Sequence, residues 1–301
     1  QQQYLAHILG AGIVSLTFLI SLKIKKDIKM AIWSAALIGF GGIVWFLSSV
    51  GSVWYLGQIT AAFFLTFCLY ESLTKKRPAV AGILLGAAFL SRLHTIAALP
   101  LVIYLLGLSL TGKLKSKKIV IFFGSVGLFV MAYIYYNFLR FGSLIQTGYS
   151  LIPGVLNEPW YQKGIFDLSY ISRHLEIIFA AFPKIANEWP YIIPSWRGLA
   201  IWITTPAFIY ALRAPVKERV VQLSWLTILA IALVVFSHGT TGFAQFGYRF
   251  AVDFYPILTF LTIKGVAKTG LKWHHWLLLI LGIIVNLWGI IWINKFGWVS
   301  F

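Results

Sequence analysis

Long apolar runs broken by short Lys-rich loops set the rhythm of this chain. A helix that crosses a bilayer needs about 17–25 consecutive apolar residues, and six stretches meet that length: 4–22, 30–47, 53–70, 119–136, 220–237 and 273–293. The run 79–110 is too long for one helix, and its polar break Ser91-Arg92-Leu93-His94 predicts a hairpin of two. Two shorter runs, 199–212 and 250–263, bring the expected total to about ten spans. The expected fold is all-α, a polytopic transmembrane bundle forming one integral membrane domain over residues 1–301. Six spans fall in 1–136, one long extracytoplasmic loop in 137–198, and four spans in 199–301.

Composition agrees with that pattern. Hydrophobic residues make up 59% of the chain and charged ones only 11%, with a mean hydropathy of +0.84. A water-soluble domain keeps a charged and polar exterior, so this chain belongs in lipid. The sign of its charge then orients it. Loops after the odd-numbered spans hold 17 cations, among them Lys23, Lys75, Lys113, Lys115, Arg213 and Lys264, against only Asp27, Glu71 and Glu218. The opposite face holds Arg92, Arg140, Lys163, Arg173, Lys184, Arg197, Arg249 and Lys295 against Glu158, Asp167, Glu176, Glu188 and Asp253. Cytoplasmic loops concentrate Lys and Arg. The first face, carrying +14 of the formal +17, is therefore expected inside, and the second, carrying +3, outside.

A charge of +17 would point to nucleic acid in a soluble chain. Here it is a topology signal and an attraction to anionic headgroups, so membrane lipid is the expected partner and nucleic acid is not. Cys68 stands alone within an apolar run, which excludes a disulfide framework and a Cys-based metal site. The chain opens at Gln1-Gln2-Gln3 directly before a span, and further sequence upstream is expected.

The loop 137–198 is rich in Trp, Tyr and Phe, unlike a linker. Asp167 is placed to cap a helix in which Leu168, Ile171, Leu175, Ile178, Phe179 and Phe182 recur at helical spacing until Pro183. Ser169, Arg173 and Glu176 fall on the other face. Such a helix lies in the membrane interface or packs on the bundle. Trp160, Tyr161, Trp189, Tyr191 and Trp196 suit an aromatic belt at headgroup depth, and aromatics of this kind also stack on sugars.

The chain has no Walker loop, no dinucleotide-type glycine pattern, no His-Glu-x-x-His and no Gly-x-Ser-x-Gly. No Asp-x-Asp or adjacent carboxylate pair occurs, and His274-His275 between Trp273 and Trp276 reads as interfacial anchoring. Three polar constellations remain, all on the outer face. Ser91-Arg92-Leu93-His94 tips the hairpin, where an arginine either snorkels or meets an anion. The segment from Tyr136 through Asn137 and Arg140 to Ser143, followed by Thr147-Gly148-Tyr149, offers donors and acceptors for a sugar or phosphate, or a structural turn. In Phe246-Gly247-Tyr248-Arg249-Phe250-Ala251-Val252-Asp253, Arg249 and Asp253 are four apart and form a helical ion pair, unless Arg249 grips a phosphate.

These residues carry a resemblance. The Tyr-Asn-x-x-Arg-Phe-Gly element at 136–142 with Thr147-Gly148-Tyr149, and Gly247-Tyr248-Arg249-Phe250 leading to Pro256, resemble elements of bacterial relatives of the protein O-mannosyltransferases. Ser91-Arg92, and Gly51-Ser52-Val53-Trp54-Tyr55 with Gln58, resemble further parts, so the likeness runs from about Gly51 to Pro256. It implies the GT-C superfamily: polytopic transferases of the bacterial plasma membrane that take a sugar from a polyprenyl-phosphate or diphosphate carrier at the outer face. The resemblance implies that Arg92, Arg249 and Arg140 hold the donor phosphate, and that His94, Asn137, Tyr149, Tyr248 and Asp253 bind substrate. The donor would be a lipid-linked sugar and the acceptor a protein or glycan; a divalent cation is a candidate cofactor. The family's catalytic acid lies in a first outer loop, so the expected Asp falls upstream of Gln1, and this chain by itself is expected to be inactive.

The alternative from another class is a secondary transporter or lipid-carrier flippase. Such proteins carry ionisable groups at the bilayer midplane and internal repeats. Here the spans hold hardly any ionisable residue beyond His7 and Glu71, both near an end, and no repeat is visible. A structural scaffold would explain the threading but not the gathering of polar motifs on one face.

Overall fold

The computed structural model describes residues 2–108, 116–146, 148–189 and 191–296. Lys113, Lys115, Thr147 and the end of the 79–110 run lie outside them. The described chain is mostly helical: α1 (Gln2–Ile24), α2 (Ile28–Gly39), α3 (Val44–Val50), α4 (Val53–Leu73), α5 (Pro78–Ser91), α6 (Leu99–Leu106), α7 (Ser116–Phe141), α8 (Ile171–Ala180), α9 (Ile201–Thr204), α10 (Arg219–Phe236), α11 (Tyr255–Thr269) and α12 (Trp273–Ile291). Tight 3-10 stretches at Leu93–Ala98, Pro206–Arg213 and Arg249–Asp253 interrupt the α-helical course. One minimal antiparallel pair, Lys184–Ile185 with Ile192–Ile193, sits in the long loop.

Five helices are long and apolar enough to cross a membrane: α1, α4, α7, α10 and α12. A sixth span results if α2 and α3, bent by 52° at their junction, are taken together. The run 79–110 is divided at its polar break into two short apolar helices, α5 and the 3-10 turn running into α6. The runs 199–212 and 250–263 are built differently from the simple helices expected of them. The first is the four-residue α9 plus a 3-10 segment, and the second is a 3-10 segment leading into the 15-residue α11.

Local chemistry sets several of these boundaries. Asp27 caps α2 by accepting from Met30 N at 3.1 Å, and Pro78 opens α5, where a missing N–H costs nothing. Between α4 and α5, Arg77 forks onto Glu71 through Nε at 2.9 Å and Nη2 at 2.7 Å, fixing the corner around a buried carboxylate.

α11 is the core element, with every residue from Tyr255 to Ile263 buried. It packs against the segment Pro206–Arg213 and against α1, α4 and α10. At the crossing with 206–213 only a glycine fits, because a Cβ on Gly265 would lie 1.9 Å from the Tyr210 carbonyl oxygen. Two buried bonds tie α12 to the rest: Trp33 Nε1 donates to the His275 carbonyl at 3.0 Å, and Asn286 Nδ2 to the Thr204 carbonyl at 2.6 Å. On the outside, α7 rests on α5 and leaves Val120, Leu128, Met131, Tyr135 and Leu139 largely exposed. So continuous an apolar face is uncommon on a protein in water and compatible with a multi-pass membrane protein.

The amphipathic segment forms where expected. Asp167 Oδ1 accepts from Ser169 N at 2.8 Å, and a 3-10 turn leads into α8. Its apolar residues divide between two directions. Ile177 and Ile178 are buried together with His174, whereas Leu168, Leu175, Phe179 and Phe182 protrude.

Candidate functional site

The hairpin break and the 3-10 segment before α11 meet over one carboxylate. After Ser91 the backbone turns extended at Arg92, with φ −150° and ψ 102°, so that Arg92 and His94 face Asp253 across 161 and 159 residues of sequence. Arg92 donates to Asp253 Oδ2 from Nε at 3.1 Å and from Nη2 at 2.8 Å, and His94 Nε2 reaches the same oxygen at 2.8 Å. Asp253 is buried, and its Oδ1 has no hydrogen-bond partner among the described residues.

The expected ion pair between Arg249 and Asp253 is not formed. The reason is the helix type. At 3.6 residues per turn, side chains four apart are offset by about 40° and touch. At three residues per turn the offset is about 120°, and residues 249–253 are 3-10. Arg249 therefore turns to α4. Gln58 holds it twice, accepting from Nη1 at 3.3 Å and donating to the Arg249 carbonyl at 3.0 Å. Its backbone N–H donates to Gln245 Oε1 at 3.2 Å, and Gln245 in turn donates to the carbonyls of Arg197 and Thr241 at 2.7 and 2.8 Å. The guanidinium lies 5.4 Å from the Tyr55 ring centre and 5.0 Å from that of Phe250. Arg92 takes a position 5.7 Å from the same Phe250 ring, so the two arginines converge. Gly247 allows the chain to enter this corner, since a Cβ there would lie 2.3 Å from Ile43 Cγ2.

Arg249 is only 8% exposed, its Nε has no hydrogen-bond partner among the described residues, and it lines a cleft of about 810 Å³. Around the cleft stand Trp54, Tyr55, Trp160, Tyr161, Trp196 and Phe243. Arg173 and Arg197 join Arg249 on its walls, with Glu158 as the single acid among the described lining residues. Glu158 is held by Trp160 Nε1 at 2.6 Å, and Arg197 lies 3.6 Å from Glu176. The cleft is thus aromatic, cationic and open to water. It can take an anion at Arg249 and a flat polar ring among the indoles and phenols.

The remaining sequence candidates separate into two groups. Tyr149 belongs to the cleft, its hydroxyl 3.1 Å from that of Tyr161. Tyr248 is buried behind Arg249 and bonds through its hydroxyl to His174 Nδ1 at 2.5 Å. Arg140 and Asn137 are elsewhere. They line a separate groove of about 460 Å³ with Leu90, Leu93 and Tyr136, and Arg140, exposed at the end of α7, bonds to the Tyr136 hydroxyl and stacks on Phe141. Asn137 is buried and donates to the Leu144 carbonyl at 3.5 Å, the structural turn considered from the sequence. The expected convergence of three arginines is therefore a convergence of two, because the helix carrying Arg140 projects it away from the cleft.

Two histidines behind the cleft were not among the sequence candidates. The His174 imidazole lies between Phe236 and Phe250, at 5.6 and 6.1 Å and near-parallel to both. A carbonyl only accepts, so the 2.8 Å bond from Nε2 to the His238 carbonyl fixes the proton on Nε2 and leaves Nδ1 to accept from Tyr248. Burial depresses His174 to about 4. By the same argument His238 carries its proton on Nδ1, donated to the Thr240 carbonyl at 3.0 Å. Burial, and then the charges of Arg92, Arg249 and His94, keep His238 below its ordinary range. Its position just past α10, in the polar stretch Ser237-His238-Gly239-Thr240-Thr241-Gly242, was the one sequence hint. Among the described residues no group of three or more His, Cys, Asp or Glu gathers to hold a metal ion.

No family model, no curated protein and no solved structure matches this chain.

Proposed function

We propose that this chain is the membrane-embedded part of a GT-C type glycosyltransferase resembling the bacterial protein O-mannosyltransferase relatives, moving a sugar from a polyprenyl-phosphate carrier to a protein or glycan. In this reading the chain threads the bacterial plasma membrane about ten times, with α9 and α11 completing short crossings. The loop 137–198 then stands outside, and the protruding Leu168, Leu175, Phe179 and Phe182 dip into the outer leaflet.

The observation that carries the proposal is Arg249, a buried and under-bonded cation on the wall of an aromatic cleft. An arginine kept this dry normally satisfies its donors within the protein, and here Nη1 reaches Gln58 while the buried Nε has no partner among the described residues. A phosphate has the fork geometry to accept from a guanidinium. Arg249 would meet the carrier phosphate directly. Arg92, across the Phe250 ring, would add field while remaining locked to Asp253. Negative charge grows on the phosphate as the glycosidic bond breaks, and fixed cations stabilise that state more than the ground state. The aromatic wall would hold the sugar or the acceptor.

The test is carrier binding followed by transfer. Full-length protein in detergent is expected to be stabilised against heat by farnesyl phosphate, and Arg249→Ala is expected to lose that stabilisation. Transfer from a polyprenyl-phosphate-linked sugar is expected to fall on the order of a hundredfold or more in the same variant. Arg249→Lys, which keeps the charge and not the fork, should recover part of it. Equal stabilisation of wild type and Arg249→Ala would refute the assignment of the phosphate to this cleft.

A further inference from the structure

We propose that the groove between α5 and α7 binds one anionic phospholipid, its phosphate held by Arg140 and an acyl chain laid between the two helices. The site stands apart from the cleft at Arg249 and needs only that the bundle sits in lipid. It arises from the way the helices run. At Gly82 and Gly86 they touch closely: a Cβ on Gly82 would lie 2.7 Å from the Phe122 carbonyl oxygen, and one on Gly86 2.4 Å from Phe129 Cδ2. Larger side chains then part them, and the Phe89 and Tyr133 rings meet edge-on at 5.7 Å. α5 stops at Ser91, where the chain turns off so that Arg92 meets Asp253, while α7 runs on to Phe141. From Tyr133 to Phe141 a helix climbs about 12 Å. Under this overhang lies the groove of about 460 Å³, with Leu90 and Leu93 on one side and Ala132, Tyr133, Tyr136 and Phe141 on the other.

The lining selects the occupant. Leu90 and Tyr136 are exposed, so the groove opens on the same apolar surface of α7 that carries Met131, Tyr135 and Leu139. An acyl chain enters it without leaving hydrocarbon. Among the described lining residues Arg140 is the one charge, and no acid accompanies it. Asn137 is already committed to the Leu144 carbonyl. The Arg140 guanidinium bonds to the Tyr136 hydroxyl through Nη1 and lies 5.7 and 5.1 Å from the ring centres of Tyr136 and Phe141. Two aromatic faces and one bond thus fix a flat cation at the mouth of the groove, with its other donors open to water. None of the ion pairs among the described residues includes it. Its fork matches a phosphate, and it sits at the end of a helix long enough to span, where headgroups lie. A lone uncompensated cation favours a headgroup of net negative charge, because a zwitterionic one brings its own cation. The groove offers no second cation and no free polar group for a sugar, which sets it apart from the cleft assigned to the carrier.

The experiment strips the full chain of lipid in detergent and offers it phosphatidylglycerol, phosphatidylcholine or farnesyl phosphate. Binding is read by native mass spectrometry and by the thermal midpoint. Wild type is expected to hold one phosphatidylglycerol about fivefold more tightly than Arg140→Gln does, the contribution of one basic residue at an anionic headgroup. It should prefer that lipid to phosphatidylcholine by a similar factor, and phosphatidylglycerol should raise the midpoint of wild type and not of the variant. Ala132→Phe, at an exposed helix position, fills the groove while keeping Arg140, and should lose the lipid as well. Phosphatidylcholine bound as tightly as phosphatidylglycerol, or Arg140→Gln binding phosphatidylglycerol like wild type, would overturn the proposal. Dependence on Arg140 for farnesyl phosphate alone would also overturn it and give the groove to the carrier. Should Arg140→Gln fail to fold, Ala132→Phe decides: phosphatidylglycerol binding at wild-type strength in that variant overturns the site.

Discussion

Replacing Asp253 by asparagine removes the one negative charge that holds the hairpin break against the 3-10 segment before α11. Three donors converge on its Oδ2, two from Arg92 and one from His94, all between 2.8 and 3.1 Å. Breaking a buried ion pair by neutralising one partner costs about 3–5 kcal/mol. The Arg92 side chain is 29% exposed and can rehydrate in part, which places the expected loss near the lower end, about 3 kcal/mol. Thermal unfolding in detergent should report this as a midpoint lower by roughly 5 °C. A double-mutant cycle sharpens the test. Arg92→Gln with Asp253→Asn should show a coupling of about 2 kcal/mol, whereas Arg249→Gln with Asp253→Asn should show less than about 1 kcal/mol. A coupling to Arg249 larger than that to Arg92 would mean that the pair four residues apart is the real one, and the 3-10 argument would fail.

Gly265→Ala is expected to destabilise by more than about 2 kcal/mol, because its Cβ would meet a backbone carbonyl that has no room to move; a thermal midpoint within a degree of wild type would refute it. His174 titrates at about 4 in the folded protein against 6.5 unfolded, so the unfolded state binds the proton first. Stability should be full above pH 6.5 and fall by on the order of 3 kcal/mol toward pH 4, and His174→Gln should flatten that part of the profile measured by thermal unfolding. For the topology, single cysteines in a Cys68→Ser background should react with an impermeant reagent added outside at Ser195 and not at Lys75; the reverse pattern would invert the whole threading.

Much of the architecture was legible because lipid imposes a coarse code. The runs that became α1, α4, α7, α10 and α12 are apolar over enough length for any packing to keep them helical. Asp167 announces a helix start by a purely local bond. The runs 199–212 and 250–263 were read as simple helices because apolar periodicity does not separate α from 3-10 geometry. Their actual form depends on Pro206, on the close approach of Gly265, and on buried bonds across the chain. At the site, the motif containing Arg92 and the motif containing Arg249 are brought together on either side of the Phe250 ring. Nothing local showed that Asp253 belongs to Arg92, or that Gln58 and Tyr55 would receive Arg249, since those partners are 161, 191 and 194 residues away in sequence. Arg140 was grouped with them by face alone, and a face is too large an area to define a site.

The helix type at residues 249–253 decides the electrostatics of the whole corner. Had this segment been α-helical, Arg249 and Asp253 would have neutralised each other across one turn, leaving Arg92 at the hairpin tip with no acid to meet. The 3-10 turn rotates Asp253 toward Arg92 and His94 and rotates Arg249 toward Gln58, a neutral partner. One carboxylate is thereby committed to joining two distant segments, and one guanidinium is left with its charge uncompensated at the edge of a cleft. Keeping a cation that dry is unfavourable for stability. Arg249→Met, similar in length and apolar, is therefore expected to leave the thermal midpoint unchanged or raise it while removing carrier binding. A variant that instead unfolds more easily than wild type would show that Arg249 is retained for packing, and the case for an anion at this position would lose its main support.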